Sequence, residues 1–196
     1  MRVLVTGATG FVGRWLIREL EAAGHEAIGT PPSSQLDLTD ARAASRLVDE
    51  ARPDAIAHLA AISSAPNARA HPDQAFRINV GGTQAMVEAI CASRRSIRLL
   101  IAGSSEVYGR PDPADLPINE SAPLRTDQPY GLSKLAQEAI GFEAAARFGI
   151  PVIVTRGFNH TGPGQRPDFV APALAQRVLR ARTTGAREIP VGNVDV

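Results

Sequence analysis

Apolar strand-like runs alternate with helix-like stretches along this 196-residue chain, which predicts an α/β fold with a doubly wound parallel sheet. Short runs rich in Val, Ile and Leu fall at residues 2–6, 26–30, 55–59, 97–102 and 152–155. The stretches between them carry apolar residues at helical spacing, long enough for crossover helices. The first run passes directly into a glycine turn, Thr6-Gly7-Ala8-Thr9-Gly10-Phe11-Val12-Gly13. No internal repeat or low-complexity segment interrupts the pattern.

Composition narrows the function classes. Apolar content of 44% and charged content of 21% are those of an ordinary globular domain. A net charge of +1 points away from nucleic acid as a partner. Cys91 is the one cysteine, so no internal disulfide forms. No apolar run reaches membrane-spanning length, so no membrane partner is expected. The first strand begins at once, without the pattern of a signal peptide, and a cytoplasmic location is expected. No metal site is expected.

The elements follow in order. After the strand at residues 2–6, residues 10–23 read as a helix with Phe11, Trp15, Leu16 and Leu20 on its apolar stripe. Strand, glycine turn and helix together suit a dinucleotide phosphate. Gly7 makes the tight turn, Gly10 admits the backbone to a pyrophosphate, and Gly13 lets the helix pack on the sheet. The helix N-terminus then offers N–H groups and a positive dipole end. This is the Rossmann arrangement. The second strand ends at Gly29 and Thr30, where NAD-specific domains carry an acid for the ribose hydroxyls. No Arg or Lys stands in the following loop, although Arg14 lies within reach of a 2′-phosphate, so NAD or NADP is left open. Asp37 reads as a turn residue before a helix at residues 41–51 capped by Asp40 or Thr39. The third strand ends in His58-Leu59-Ala60-Ala61, with His58 a core or strand-end histidine.

Pro72 opens a long helix whose apolar face holds Phe76, Val80, Met86, Val87 and Ile90, with Asn79 inside that face. The fourth strand runs into Gly103-Ser104-Ser105-Glu106-Val107-Tyr108-Gly109 and then a loop of about twenty residues, placed to hang over a site. Pro129 starts the next helix, which ends at Gly149. It carries Tyr130 and Lys134, i and i+4 on one face. Lys134 is the only lysine among 21 basic residues, which marks it as chemical rather than solvating. An ammonium near a phenol favours the phenolate, making Tyr130 a general acid or base.

Thr6-Gly7-x-x-Gly10-x-x-Gly13 together with Tyr130-x-x-x-Lys134 resembles the extended branch of the short-chain dehydrogenase/reductase superfamily, the NAD-dependent epimerases and dehydratases. The resemblance implies a cofactor held by Gly7, Thr9, Gly10, Phe11, Val12 and Gly13. It places Asp37 and Leu38 beside the adenine, Leu59, Ala60 and Ala61 under a ribose, and Tyr130 and Lys134 at the nicotinamide end. Ser104, Tyr130 and Lys134 are then the catalytic set, with hydride passing between a sugar carbon and the nicotinamide. Glu106 follows Ser104 by two, as the acid does in dehydratases of this branch and in some of its reductases. Asn79 is implied to support the lysine, its alternative being a satisfied buried amide.

Arg156-Gly157-Phe158-Asn159-His160-Thr161-Gly162-Pro163-Gly164-Gln165 resembles the matching segment of GDP-4-keto-6-deoxy-D-mannose reductases, with Gly157 replacing a proline. Phe169-Val170, Arg177, Arg180 and residues 189–196 extend the likeness. It implies substrate contacts at Ser104, Ser105, Asn159, Phe169, Val170 and Arg177. Asn159 touches the diphosphate, and Arg177 or Arg180 pairs with it, the alternative being a solvated helix face. The implied organisation is a cofactor domain at residues 1–156 and, at 157–196, the start of a sugar-binding part that relatives carry further. The fold expected is thus a Rossmann sheet with an incomplete C-terminal substrate-binding part. The reaction implied is NAD(P)H reduction of a GDP-4-keto-6-deoxy sugar to GDP-D-rhamnose by a homodimer. A 4,6-dehydratase, a 4-epimerase and a non-catalytic cofactor binder are the rivals.

Overall fold

A computed structural model describes residues 1–192. Five parallel strands form the sheet: β1 (Arg2–Thr6), β2 (Glu26–Gly29), β3 (Ala55–His58), β4 (Arg98–Ala102) and β5 (Val152–Thr155). Their spatial order is β2-β1-β3-β4-β5. The winding reverses between β1 and β3, whose register pairs Thr6 with His58 at their carboxyl ends. Ligands of open α/β sheets sit at such a switch point.

Helices cover both faces, and the alternation of β1 sorts them. Val3 and Val5 point toward α1 (Phe11–Ala22), against Leu16, Ile17 and Leu20. Leu4 points to the other face, where α2 (Ala41–Ala51) and α5 (Gly82–Ser93) bury Ala44, Val48, Met86 and Ile90 against Ile56, Leu99 and Ile101. The Asp40 side chain caps α2 by accepting from the Arg42 amide at 2.8 Å. α6 (Pro129–Phe148) adds Ile140 and Ala144 to that second core. Among the described residues no helix is long and apolar enough to cross a membrane.

Three details depart from the expected element boundaries. Thr30, Leu59 and Ile97 lie just outside their strands, since the ladders part by one residue at these ends. A short helix, α3 (Ala65–Ala70), precedes the expected long one and is capped by Ser64. The long helix itself is α4 (Pro72–Phe76) continued into α5 through a wider turn at Arg77–Gly81. One such residue-long slip in the hydrogen-bond ladder is a π-bulge, common where a side chain must be re-aimed. Here it aims Asn79, which is fully buried. Its oxygen accepts from the Ile62 amide at 2.7 Å, and its nitrogen donates to the Ile62 carbonyl at 3.2 Å and to Ser133 Oγ at 2.9 Å. Asn79 therefore anchors the segment after β3 to α6 through Ser133.

Residues Met1–Phe158 form one compact unit and a second begins at Asn159. Within the second, α7 (Val170–Thr184) ends on Gly185 in the left-handed conformation, and Arg177 donates to the Pro190 carbonyl at 2.6 Å. Residues 193–196 of the motif at 189–196 lie outside the described residues.

Candidate active site

The carboxyl ends of β1 and β3 meet at the glycine turn. Gly7 has φ +68°, and a Cβ there would stand 2.9 Å from the Ala60 nitrogen. The turn thus lies directly against the Leu59–Ala60 backbone, and only glycine permits both the conformation and the approach. At Gly13 a Cβ would overlap the Gly7 carbonyl and Ala8, so α1 packs onto its own turn. The Gly7 amide donates to Thr30 Oγ1 at 3.2 Å, and the Gly10 amide donates to the Gly7 carbonyl at 2.9 Å. α1 starts with Gly10 as its N-cap, with no side-chain cap and no acid in its first turn. Thr9, Gly10 and Val12 are exposed around it, while Phe11 is half-buried. A helix start that lacks both a side-chain cap and an acid suits an anionic ligand, so the turn fits the diphosphate of a dinucleotide. Arg14, one turn along, folds its Nε back to the Gly10 carbonyl at 3.3 Å.

Asp37 takes the turn role. Its Oδ1 accepts from the Thr39 amide at 2.9 Å and hydroxyl at 2.8 Å, and its Oδ2 pairs with Arg77 at 3.3 Å. The Thr39 amide, then its hydroxyl, hold the carboxyl below its ordinary value. Leu38 is half-buried against the second core.

His58 is buried beneath this end of the sheet. Thr6 Oγ1 accepts from the Ala60 amide at 3.1 Å and shares a hydrogen bond with His58 Nδ1 at 2.9 Å. The other ring nitrogen, Nε2, is buried without a partner. Burial, with the nearby Lys134 charge, pushes the imidazole down to about 4. The unfolded chain takes up a proton below pH ~6.5 while the folded one resists until about 4, so stability falls as pH drops through that window. The full loss is about 3 kcal/mol. Denaturant midpoints at pH 7 and pH 5 check it: His58→Gln shows a shallower acid loss than the parent chain.

The residues expected to react come from β4, the turn after it and α6. Ser104 and Tyr130 are both buried to nine-tenths or more, and the Ser104 hydroxyl lies near enough to act on the phenol. Ser104 Oγ also accepts from the Glu106 amide at 3.2 Å. Glu106 is exposed, near enough for its charge to act on the phenol. Ser105 is half-buried, and its amide donates to the Gly157 carbonyl at 3.0 Å. Lys134 is 3% exposed, and its Nζ donates to the Ala102 carbonyl at 2.8 Å while lying 5.9 Å from the Tyr130 ring centroid. Desolvation brings its ammonium down to about 8.

The sequence-based expectation of a favoured phenolate is corrected here. Burial, foremost, raises the Tyr130 phenol above its usual value; the Ser104 hydrogen bond pulls it back and the Glu106 charge pushes it further up. The Lys134 ammonium makes its short contact with the Ala102 carbonyl, so desolvation dominates at the phenol. The phenol is thus protonated at neutral pH.

Sequence reasoning missed the ion pair at the edge of this region. Arg156, just after β5, pairs with the buried Glu138 of α6 at 2.8 Å. Arg156 opens the segment at 156–165 already singled out, but nothing there points to Glu138 as its partner. In the second unit Asn159 and Val170 are exposed, Phe169 is the half-buried N-cap of α7, and Arg177 is exposed. Arg180 likewise lies on the exposed face of α7.

A family model described as the NAD dependent epimerase/dehydratase family matches residues 3–195. The chain is 36% identical over 196 residues to the GDP-6-deoxy-D-mannose reductase of Pseudomonas aeruginosa, covering 100% of this chain and 64% of that protein. It is 29% identical over 197 residues to the GDP-6-deoxy-D-talose 4-dehydrogenase of Aggregatibacter actinomycetemcomitans, again covering 100% of this chain and 64% of the relative. Among solved structures, RMD from Pseudomonas aeruginosa complexed with NADPH superposes with a TM-score of 0.86 at 35% identity, over 100% of this chain and 66% of that one. The UDP-glucose 4-epimerase of Thermus thermophilus in complex with NAD gives a TM-score of 0.84 at 28% identity, over 97% and 64%. The chain therefore spans less than two thirds of the length of each of these proteins.

Proposed function

This chain belongs to the NAD dependent epimerase/dehydratase family, and from that premise we propose that it reduces the 4-keto group of a GDP-6-deoxy-hexulose, forming GDP-D-rhamnose. The observation that carries the reading is the buried Ser104–Tyr130 pair at the end of β4, with the phenol held protonated. Likeness over the whole chain to a GDP-6-deoxy-D-mannose reductase supports the substrate class. The glycine turn, Leu59, Ala60 and Ala61 hold the cofactor, and Lys134 stands at its reactive end.

When bound, the reduced nicotinamide supplies a hydride. The chain's own residues manage the oxygen. Ser104 hydrogen-bonds the ketone oxygen and Tyr130 gives it the proton, so that charge building there is met by a donor already in place. A protonated phenol is the form that reduction needs, which is why burial at Tyr130 favours this direction. Lys134 keeps a positive charge beside the pair at neutral pH and tethers α6 to Ala102. On this reading Asn159 and Arg177 meet the diphosphate of the sugar nucleotide. Glu106 carries the second reading: an exposed carboxylate beside Tyr130 suits proton removal in a 4,6-dehydratase. The enzyme is further read as a cytoplasmic homodimer, an assembly that light scattering on the purified chain measures directly.

The test is nicotinamide absorbance on mixing with GDP-4-keto-6-deoxymannose, with NADH and NADPH in parallel. Loss of reduced cofactor is expected. Cofactor binding without loss, alongside release of a keto sugar from GDP-mannose, would replace the reductase with the dehydratase.

A further inference from the structure

Arg156 holds one charged group and two neutral ones at once. Its Nε donates to both carboxylate oxygens of Glu138 at 3.1 Å, and its Nη2 donates to Oε2 at 2.8 Å. From the other edge, Nη1 donates to the Tyr108 hydroxyl at 3.1 Å and to the Glu120 carbonyl at 3.0 Å. The guanidinium carbon lies 5.2 Å from the Tyr108 ring centroid. Glu138 is 1% exposed and Arg156 16%.

Glu138 stands one turn beyond Lys134 and two beyond Tyr130 on α6, so the three share a face. That face meets the end of β4 step by step. Tyr130 comes beside Ser104, and Lys134 bonds the Ala102 carbonyl. Glu138 packs beside Gly103, where a Cβ would stand 3.2 Å from its Oε1. Arg156 is the strut that fixes the third step, and it ties the turn at Tyr108 and the loop at Glu120 to the same point.

We propose that Arg156 is a positioning residue: it sets the register of α6 on the end of β4, and through it the Tyr130–Ser104 contact. The proposal rests on Tyr130 and Ser104 being the reacting pair of the function above. The planar fork of arginine makes all of these bonds together, whereas a lysine ammonium keeps the charge but reaches only one side. A displaced acid loses rate steeply even when binding survives.

Arg156→Lys tests it with three readouts. Cofactor fluorescence titration, which depends on the distant glycine turn, is expected within about twofold of the parent chain, while kcat falls about tenfold at an unchanged KM. Tyrosinate absorbance, taken as the difference against Tyr130→Phe, is expected to titrate at higher pH, because the Ser104 bond that lowers the phenol is weakened. That readout needs no substrate, so it decides the proposal even where the keto sugar proves wrong. If Arg156→Lys fails to fold, Tyr108→Phe removes only the hydroxyl at Nη1 and is expected to raise the same midpoint. A Tyr130 midpoint unchanged in the folded variant, with only a lowered Tm, makes Arg156 a purely structural clamp and overturns the proposal.

Discussion

Tyr130→Phe lowers kcat for ketone reduction by about 10³-fold and leaves cofactor affinity within about twofold. The phenyl ring keeps its place, because Tyr130 packs with Ala68 and Ala75 and is 9% exposed. Only the hydroxyl goes, and with it the proton that the developing alkoxide must receive. Losing the hydroxyl beside Ser104 costs roughly 1 kcal/mol at most, too little to unfold the chain. The pH profile gives the sign. Reduction needs the acid form, so the rate is high at low pH and falls on the alkaline side. Lys134, with its ammonium at about 8, titrates on that side first, and the phenol, raised by burial, follows. Lys134→Met removes the first of these alkaline limbs. Stopped-flow nicotinamide absorbance across pH reads both variants. A Tyr130→Phe enzyme within tenfold of the parent would mean that another group delivers the proton and that the site has been misplaced.

What could be read from residues alone was what is local in the chain. The glycine turn, the i, i+4 spacing of Tyr130 and Lys134 and the apolar strand runs each lie within a few positions of one another, and periodicity reports such features. What escaped was set by partners far apart in sequence. Arg156 and Glu138 are 18 positions apart, and neither carries a mark of its pairing. The bulge at Arg77–Gly81 is a slip in backbone hydrogen bonding that no residue type demands, and its purpose shows only when Asn79 is seen to bond Ile62 and Ser133. The protonation bias of Tyr130 was misjudged for a related reason. Spacing puts the ammonium on the right face but says nothing of burial, nor of the Ala102 carbonyl that takes its short contact.

Gly7→Val destabilises the chain and empties the cofactor site together. A β-branched residue at φ +68° costs about 1–2 kcal/mol in backbone strain alone. Its Cβ would stand 2.9 Å from the Ala60 nitrogen and 3.1 Å from both Ala60 Cα and the Leu59 carbonyl carbon. These are backbone atoms of a strand end, so relief must come from the turn itself. Moving the turn breaks the Gly7 amide bond to Thr30 and the Gly10 amide bond to the Gly7 carbonyl. The sum is roughly 3 kcal/mol, or about 8 °C in Tm for a chain of this size. The same movement turns the start of α1 away from the diphosphate, and cofactor affinity falls about 100-fold. Gly24→Ala separates the two effects. Gly24 has φ +77° with nothing within 4 Å of its Cβ position, so a side chain there brings strain without collision, far from the glycine turn. It is expected to lose about 1 kcal/mol and to bind cofactor as the parent chain does. Thermal melts and cofactor fluorescence titrations of the two variants, run side by side, decide the matter. If Gly7→Val binds as tightly as Gly24→Ala, the anion sits somewhere other than this turn, and the switch point between β1 and β3 is not where the cofactor lies.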